Sequence, residues 1–282
     1  MSIGLASTPG GGRLFPPRQW TTMGFPDRNS TFFMKDISMR YCTLWTLLLT
    51  LVSGLTDNAS AQRLRRRAPA PAPAKVSLFD GQSLAGWVTA KGEAINDGWE
   101  VVDGALHLKG RSQSIYSERE YTNFILDFEW KIAEGGNSGV KYRVRSYDGA
   151  LLGLEYQLLD DVKHKYEPDH IGSTGSIYAL YEPQANKPLK PIGEFNHSRI
   201  VVLGNRLEHW LNGVKIASAV VGSREWHQRV AASKFNKRTA FAENASGKLM
   251  LQDHGHPTWF RSITIQELAE SRGRLLAGRR RR

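Results

Sequence analysis

Cysteine is nearly absent from this 282-residue chain: one residue, Cys42, excludes an intrachain disulfide framework and any multi-cysteine zinc site. Familiar catalytic signatures are missing too. There is no H-E-x-x-H, no G-x-S-x-G elbow, no P-loop and no G-x-G-x-x-G ahead of a helix. Serine-hydrolase and nucleotide-dependent chemistries therefore have no footing. Sustained 3.6-residue periodicity is lacking outside a short stretch near residues 223–231, which argues against a parallel α/β architecture. The longest apolar run, residues 42–52, falls well short of the ~20 residues that cross a bilayer.

Positive charge is plentiful, with a formal balance of +11, but it sits at the ends. Residues 1–61 carry +2, Arg63, Arg65, Arg66 and Arg67 follow, and six more arginines lie between Arg272 and Arg282. That leaves residues 68–270 at −1, so the body gives no electrostatic reason to bind nucleic acid. Hydrophobic residues at 40% and charged residues at 23% fit a globular domain with a sizeable core.

Residues 1–33 are expected to be a non-native or disordered extension. A start at Met34 or Met39 places Lys35 and Arg40 before the apolar run and Ala59 and Ala61 in an A-x-A arrangement after it. This is the pattern of a signal peptide over 34–61, cut after Ala61, and it predicts export to the periplasm or beyond. The mature chain would then carry no transmembrane segment. Residues 62–75 join arginines to an Ala-Pro repeat and read as an extended spacer, and 269–282 as a disordered basic tail.

Between 76 and 268 the pattern is of short strands and turns. "WEVVDGALHLKG" predicts a hairpin turning at Asp103-Gly104, and two more turn at Gly204-Asn205 and Asn212-Gly213. Phe124, Leu126, Phe128 and Trp130 share one face of a strand. In "GVKYRVR" Val140, Tyr142 and Val144 alternate against Lys141, Arg143 and Arg145. A dozen such strands predict an all-β, two-sheet sandwich. Several strands also present polar side chains on the face opposite the apolar one: Asn137, Lys141 and Arg143; Glu155 and Gln157; Gln252 and His254. Asp160, Lys163 and Tyr178 lie in or beside the intervening loops. Glu155, flanked by Leu154 and Tyr156, is expected to be partly desolvated, which raises its pKa and suits proton transfer.

Seven motifs occur in order over residues 78–268: "LFDGQSLAGW", "GGNSGVKYR", "LEYQLLDD", "TGSIYALY", "GEFNHSRIVVLGNRLEHWLNGVKI", "ASKF" and "LQDHGHPTWFRSITI". Through them the chain resembles the 3-keto-disaccharide hydrolase family. The resemblance implies a concanavalin-A-like jelly roll that takes a carbohydrate substrate. Phe195 stands where the family usually has Trp, and Ser262 where it commonly has Asn. The loop after Asp161 is atypical apart from "DVKH".

A sugar oxidised at carbon 3 has an acidic hydrogen at carbon 2. Its removal gives an enolate that expels the glycosidic oxygen from carbon 1, and water then adds. The resemblance, combined with strand alternation, gives Glu155 the base role and His254 proton transfer to the leaving group. Arg143, or a divalent cation held by Glu155 and His254, would stabilise the enolate, and no cofactor is otherwise required. Asn137, Lys141, Gln157, Asp160, Lys163, Tyr178, His209 and Gln252 are the expected sugar contacts. Two alternatives stay open: a non-catalytic carbohydrate-binding module on the same fold, and an ordinary glycosidase with two carboxylates across a cleft.

Overall fold

The computed structural model describes residues 74–269. The extension, the signal peptide, nearly all of the spacer and all but the first residue of the basic tail lie outside the described residues. No described helix is long and apolar enough to cross a membrane.

Turn chemistry and alternation set the elements. The strands begin with β1 (Lys75–Ser77), β2 (Trp87–Val88), β3 (Trp99–Val102), β4 (Ala105–Leu108) and β5 (Ile115–Tyr121). Next come β6 (Phe124–Ile132), β7 (Asn137–Tyr147), β8 (Ala150–Leu159) and β9 (Asn196–Leu203). The chain closes with β10 (Arg206–Leu211), β11 (Val214–Val220), helix α1 (Arg224–Ala232), β12 (Gly247–Leu251) and β13 (Thr258–Glu267). The β3–β4 hairpin turns where expected, with Asp103 and Gly104 both at positive φ, the geometry that suits the twist of paired strands. Strand β5 was not foreseen, because its Ser-Glu-Arg-Glu run interrupts the apolar pattern. Helix α1 begins at an N-cap, Ser223, whose side chain accepts from the Trp226 amide, and it buries Trp226.

These strands form an all-β, two-sheet antiparallel sandwich, as the sequence predicts. One sheet runs β11-β10-β9-β6-β13-β4-β3, with β1 paired to β13, and the other runs β2-β5-β12-β7-β8. One apolar cluster joins the facing sides: Phe124, Leu126, Phe128 and Trp130 from the first sheet meet Val140, Tyr142, Leu154, Tyr156 and Leu158 from the second. Burying such side chains contributes about 1.5–3 kcal/mol each before entropy is counted.

Register shifts interrupt this regularity, and two of them place a non-glycine residue at positive φ. Ser262 has φ 52° where the pairing of β13 with β6 shifts register. Asn tolerates that left-handed conformation better than Ser. Arg143 has φ 52° where β7 shifts against β8. The second bulge decides which residues reach the candidate site.

Candidate active site

The site is built on the face of the five-stranded sheet that points away from the shared core. Alternation assigns it: Leu154, Tyr156 and Leu158 enter the core, so Glu155 and Gln157 face outward. Register then lines up one residue from each strand. Val88 pairs with Tyr116, Tyr116 with Met250, Met250 with Lys141, and Lys141 with Glu155. The row begins apolar and ends in an ion pair. Beside it, the Gln252 amide donates to the Gly139 carbonyl at 2.9 Å, and Gly139 pairs with Gln157.

Glu155 is the centre of this arrangement. It is only 6% exposed although it lies on the outer face. Lys141 Nζ sits 3.3 Å from its Oε2. Burial pushes its carboxyl above the usual range, while Lys141, Lys234 and His254 pull in the opposite direction without cancelling the rise. Gly139 makes room for it: a Cβ there would lie 2.6 Å from Glu155 Oε1. Beyond the edge of β8, residues 175–181 run alongside, and the Tyr178 amide donates to the Glu155 carbonyl at 3.1 Å. Burial and the nearby Glu155 raise the Tyr178 hydroxyl pKa.

Most of the expected residues gather here. Gln157 Nε2 donates to Asn137 Oδ1 at 3.0 Å, joining the start of β7 to the end of β8. Gln252 has a buried side-chain oxygen with no hydrogen-bond partner. A buried, unpaired acceptor costs about 1–3 kcal/mol, so it stands ready for a donor from outside. His254 is exposed, near enough to act on Glu155 electrostatically, with its ring 6.2 Å from that of His256. Among the described residues no three His, Cys, Asp or Glu side chains gather in a metal-holding group, so Glu155 and His254 have no third ligand of those types.

Other expectations need correction. Arg143 does not share a face with Lys141. The bulge turns its side chain inward, where it is 2% exposed and donates to the Ala242 carbonyl at 3.2 Å and to the Gly204 carbonyl. The same bulge sends Val144 outward to join Val88, Tyr116 and Met250. Gly247 is required beside it, since a Cβ there would lie 2.5 Å from the Arg143 carbonyl carbon. His209 belongs to the other sheet and is fully buried between Tyr142 OH at 2.9 Å and the Gly175 carbonyl at 3.0 Å. Burial lowers its pKa to about 4, so it stays neutral; it is a core residue and not a sugar contact. Asp160 ties the β6–β7 turn to its own loop, with Oδ2 accepting from the Gly135 amide at 2.8 Å and Oδ1 from the Lys163 amide at 3.2 Å. The exposed Lys163 pairs with Glu134 at 2.5 Å.

Lys234 was missed. It lies in the loop after α1, with Nζ 4.1 Å from the centroid of the Tyr178 ring. Desolvation lowers its pKa, against an opposing pull from Glu155. The "ASKF" motif was its only signal, because a loop residue has no alternation to mark its direction.

Similarity to known proteins places the chain in a family. Residues 74–266 match the family described as the 3-keto-alpha-glucoside-1,2-lyase-like domain. A 3-keto-disaccharide hydrolase of Bacteroides thetaiotaomicron is 26% identical over 234 residues, spanning 71% of this chain and 80% of that protein. A crystal structure of a candidate glycosyl hydrolase from Parabacteroides distasonis superposes with a TM-score of 0.63 at 32% identity, covering 70% of this chain and 95% of that one. A second candidate glycosyl hydrolase from that organism gives 0.56 at 29% identity, covering 69% and 100%.

Proposed function

Because the chain belongs to the 3-keto-alpha-glucoside-1,2-lyase-like family, we propose that its outward sheet face cleaves glycosidic bonds of 3-keto-glycosides by proton abstraction, elimination and hydration. The observation that carries this reading is Glu155: a carboxylate nearly removed from solvent and held by Lys141, on the sheet face that also carries Gln157.

The steps follow from the groups at hand. Glu155 takes the proton from carbon 2, and the C–H electron pair becomes the enolate. The enolate then collapses to a carbon 1–carbon 2 double bond as the bond from carbon 1 to the glycosidic oxygen breaks. His254 delivers a proton to the departing oxygen. Water adds at carbon 1 and a proton returns to carbon 2, leaving a free 3-keto sugar and the released alcohol. Gln157, Asn137, Gln252 and Tyr178 orient the hydroxyls. A burial-raised carboxyl suits the base role, because proton transfer is most efficient when the pKa lies nearer the working pH. We propose in addition that the chain works outside the cytoplasm, a reading supported by the apolar run at 42–52 and the A-x-A that follows.

The test is to incubate the purified chain with a 3-keto-disaccharide and with its unoxidised parent. The ketone should be cleaved and the parent left intact, and Glu155→Gln should lose about 10²–10⁴ of the rate. Equal cleavage of both sugars, or full turnover by the Gln variant, would overturn the assignment; binding of both without cleavage would mark a binding module.

A further inference from the structure

When carbon 2 loses its proton, negative charge collects on the oxygen at carbon 3, and a positive group placed there lowers the barrier. With Arg143 turned into the interior, two ammonium groups remain near Glu155, and they differ in what they already hold. Lys141 is largely buried and hydrogen-bonded to the Glu155 carboxylate at 3.3 Å. Drawing it onto the substrate would strip the base of its partner. Lys234 has no hydrogen-bond or ion-pair partner among the described residues; its contacts are the ring faces of Tyr178 at 4.1 Å and Phe235 at 5.4 Å. It is exposed, yet Glu155 acts on it electrostatically.

Its backbone is fixed on both sides. Ser233 closes α1 by donating its amide to the Val230 carbonyl. Phe235 is buried and stacked on Phe241, with centroids 4.0 Å apart and planes 9° apart. The loop is therefore anchored, while the four-carbon arm above Tyr178 is held only by a cation–π contact, worth ~0.5–1 kcal/mol where exposed. A substrate oxygen can outbid that contact.

We propose that Lys234 is a catalytic residue that binds the ketone oxygen at carbon 3 and carries the charge of the enolate, an inference that rests on Glu155 being the base. The electron accounting is simple. The C–H pair at carbon 2 forms the carbon 2–carbon 3 double bond, the carbonyl π pair moves onto oxygen beside the Lys234 ammonium, and the proton resides on Glu155. The oxygen pair then re-forms the carbonyl, the carbon 2–carbon 3 pair shifts to make the carbon 1–carbon 2 double bond, and the pair of the glycosidic bond leaves with the oxygen, which takes its proton from His254. An unoxidised sugar develops no such charge, so Lys234 favours the oxidised substrate class in particular.

The experiment uses the full chain, with Lys234→Met, Lys234→Arg and Lys141→Met compared on a 3-keto-disaccharide, together with exchange of the carbon 2 hydrogen in deuterated water. Lys234→Met should lower kcat by about 10²–10³, with KM moving much less, and should slow exchange to the same degree. Lys234→Arg should restore part of the rate, and the thermal midpoint should stay at the wild-type value because the side chain is exposed. Retention of kcat within about threefold by Lys234→Met, or loss of exchange in Lys141→Met alone, would remove the role from Lys234. Those results leave the proposed reaction standing if the wild-type chain still cleaves the ketone; failure of the wild type on the ketone would remove the reaction itself.

Discussion

Glu155 ionises under opposing influences, and their signs make a measurable prediction. Burial raises its pKa and Lys141 is the first of the groups that lower it. The base works when deprotonated, so kcat/KM rises with pH through the pKa of Glu155, at a point above the ordinary carboxylate range. Replacing Lys141 with Met removes a lowering influence, and that acid limb should move to higher pH in a pH–rate profile. A limb that stays in place would show that Lys141 does not tune the base. Folding follows the same shift: a raised carboxyl contributes stability that is present below its unfolded value and lost as pH climbs through its folded one.

At the level of strands, the gap at Gly139 matters as much as any functional group. Its missing side chain is the space in which the Glu155 carboxylate lies. Gly139 has no positive φ, so an alanine there strains nothing in the backbone, and the three atoms nearest its Cβ all belong to Glu155. Gly139→Ala should leave the thermal midpoint within a few degrees of wild type and cut kcat about 10²-fold, the cost of displacing a reacting group by about 1 Å. Unchanged turnover would show that the carboxylate has freedom to spare. Strand alternation made much of this legible beforehand. Glu155, Gln157 and Lys141 were assigned to one face because β8 and the first half of β7 keep a strict period of two. Arg143 defeated the same reasoning, because one extra residue in β7 reverses every later side chain, and nothing in "KYRVR" marks a bulge. His209 sits in an alternating strand of the other sheet, where a polar side chain meets a polar partner across the core. Lys234 belongs to a loop, which has no period to read.

Across the whole molecule, Arg143 turns from a site candidate into a tie between sheets. It reaches from β7 to the carbonyl of Gly204, in the turn between β9 and β10. Among its neighbours no carboxylate offsets its charge, and desolvation lowers its pKa. A buried cation of this kind holds position through carbonyl acceptors alone, so shortening it strands those carbonyls and opens a void. Arg143→Ala should destabilise the fold by about 2–4 kcal/mol in denaturant titration, with kcat per folded molecule unchanged. A fall in kcat without loss of stability would return Arg143 to the chemistry.

The segment 175–181 has a consequence beyond placing Tyr178. Strand β8 ends its sheet, and an uncovered border of that kind is a template for strands from other copies of the chain. Here the border is taken by the chain's own amides and carbonyls: Gly175 donates to Gln157, Tyr178 to Glu155, and Ile177 bridges to Tyr156. The strand that carries Glu155 is thereby closed to polymerisation along its flank, and its carboxylate keeps a fixed place in the sheet.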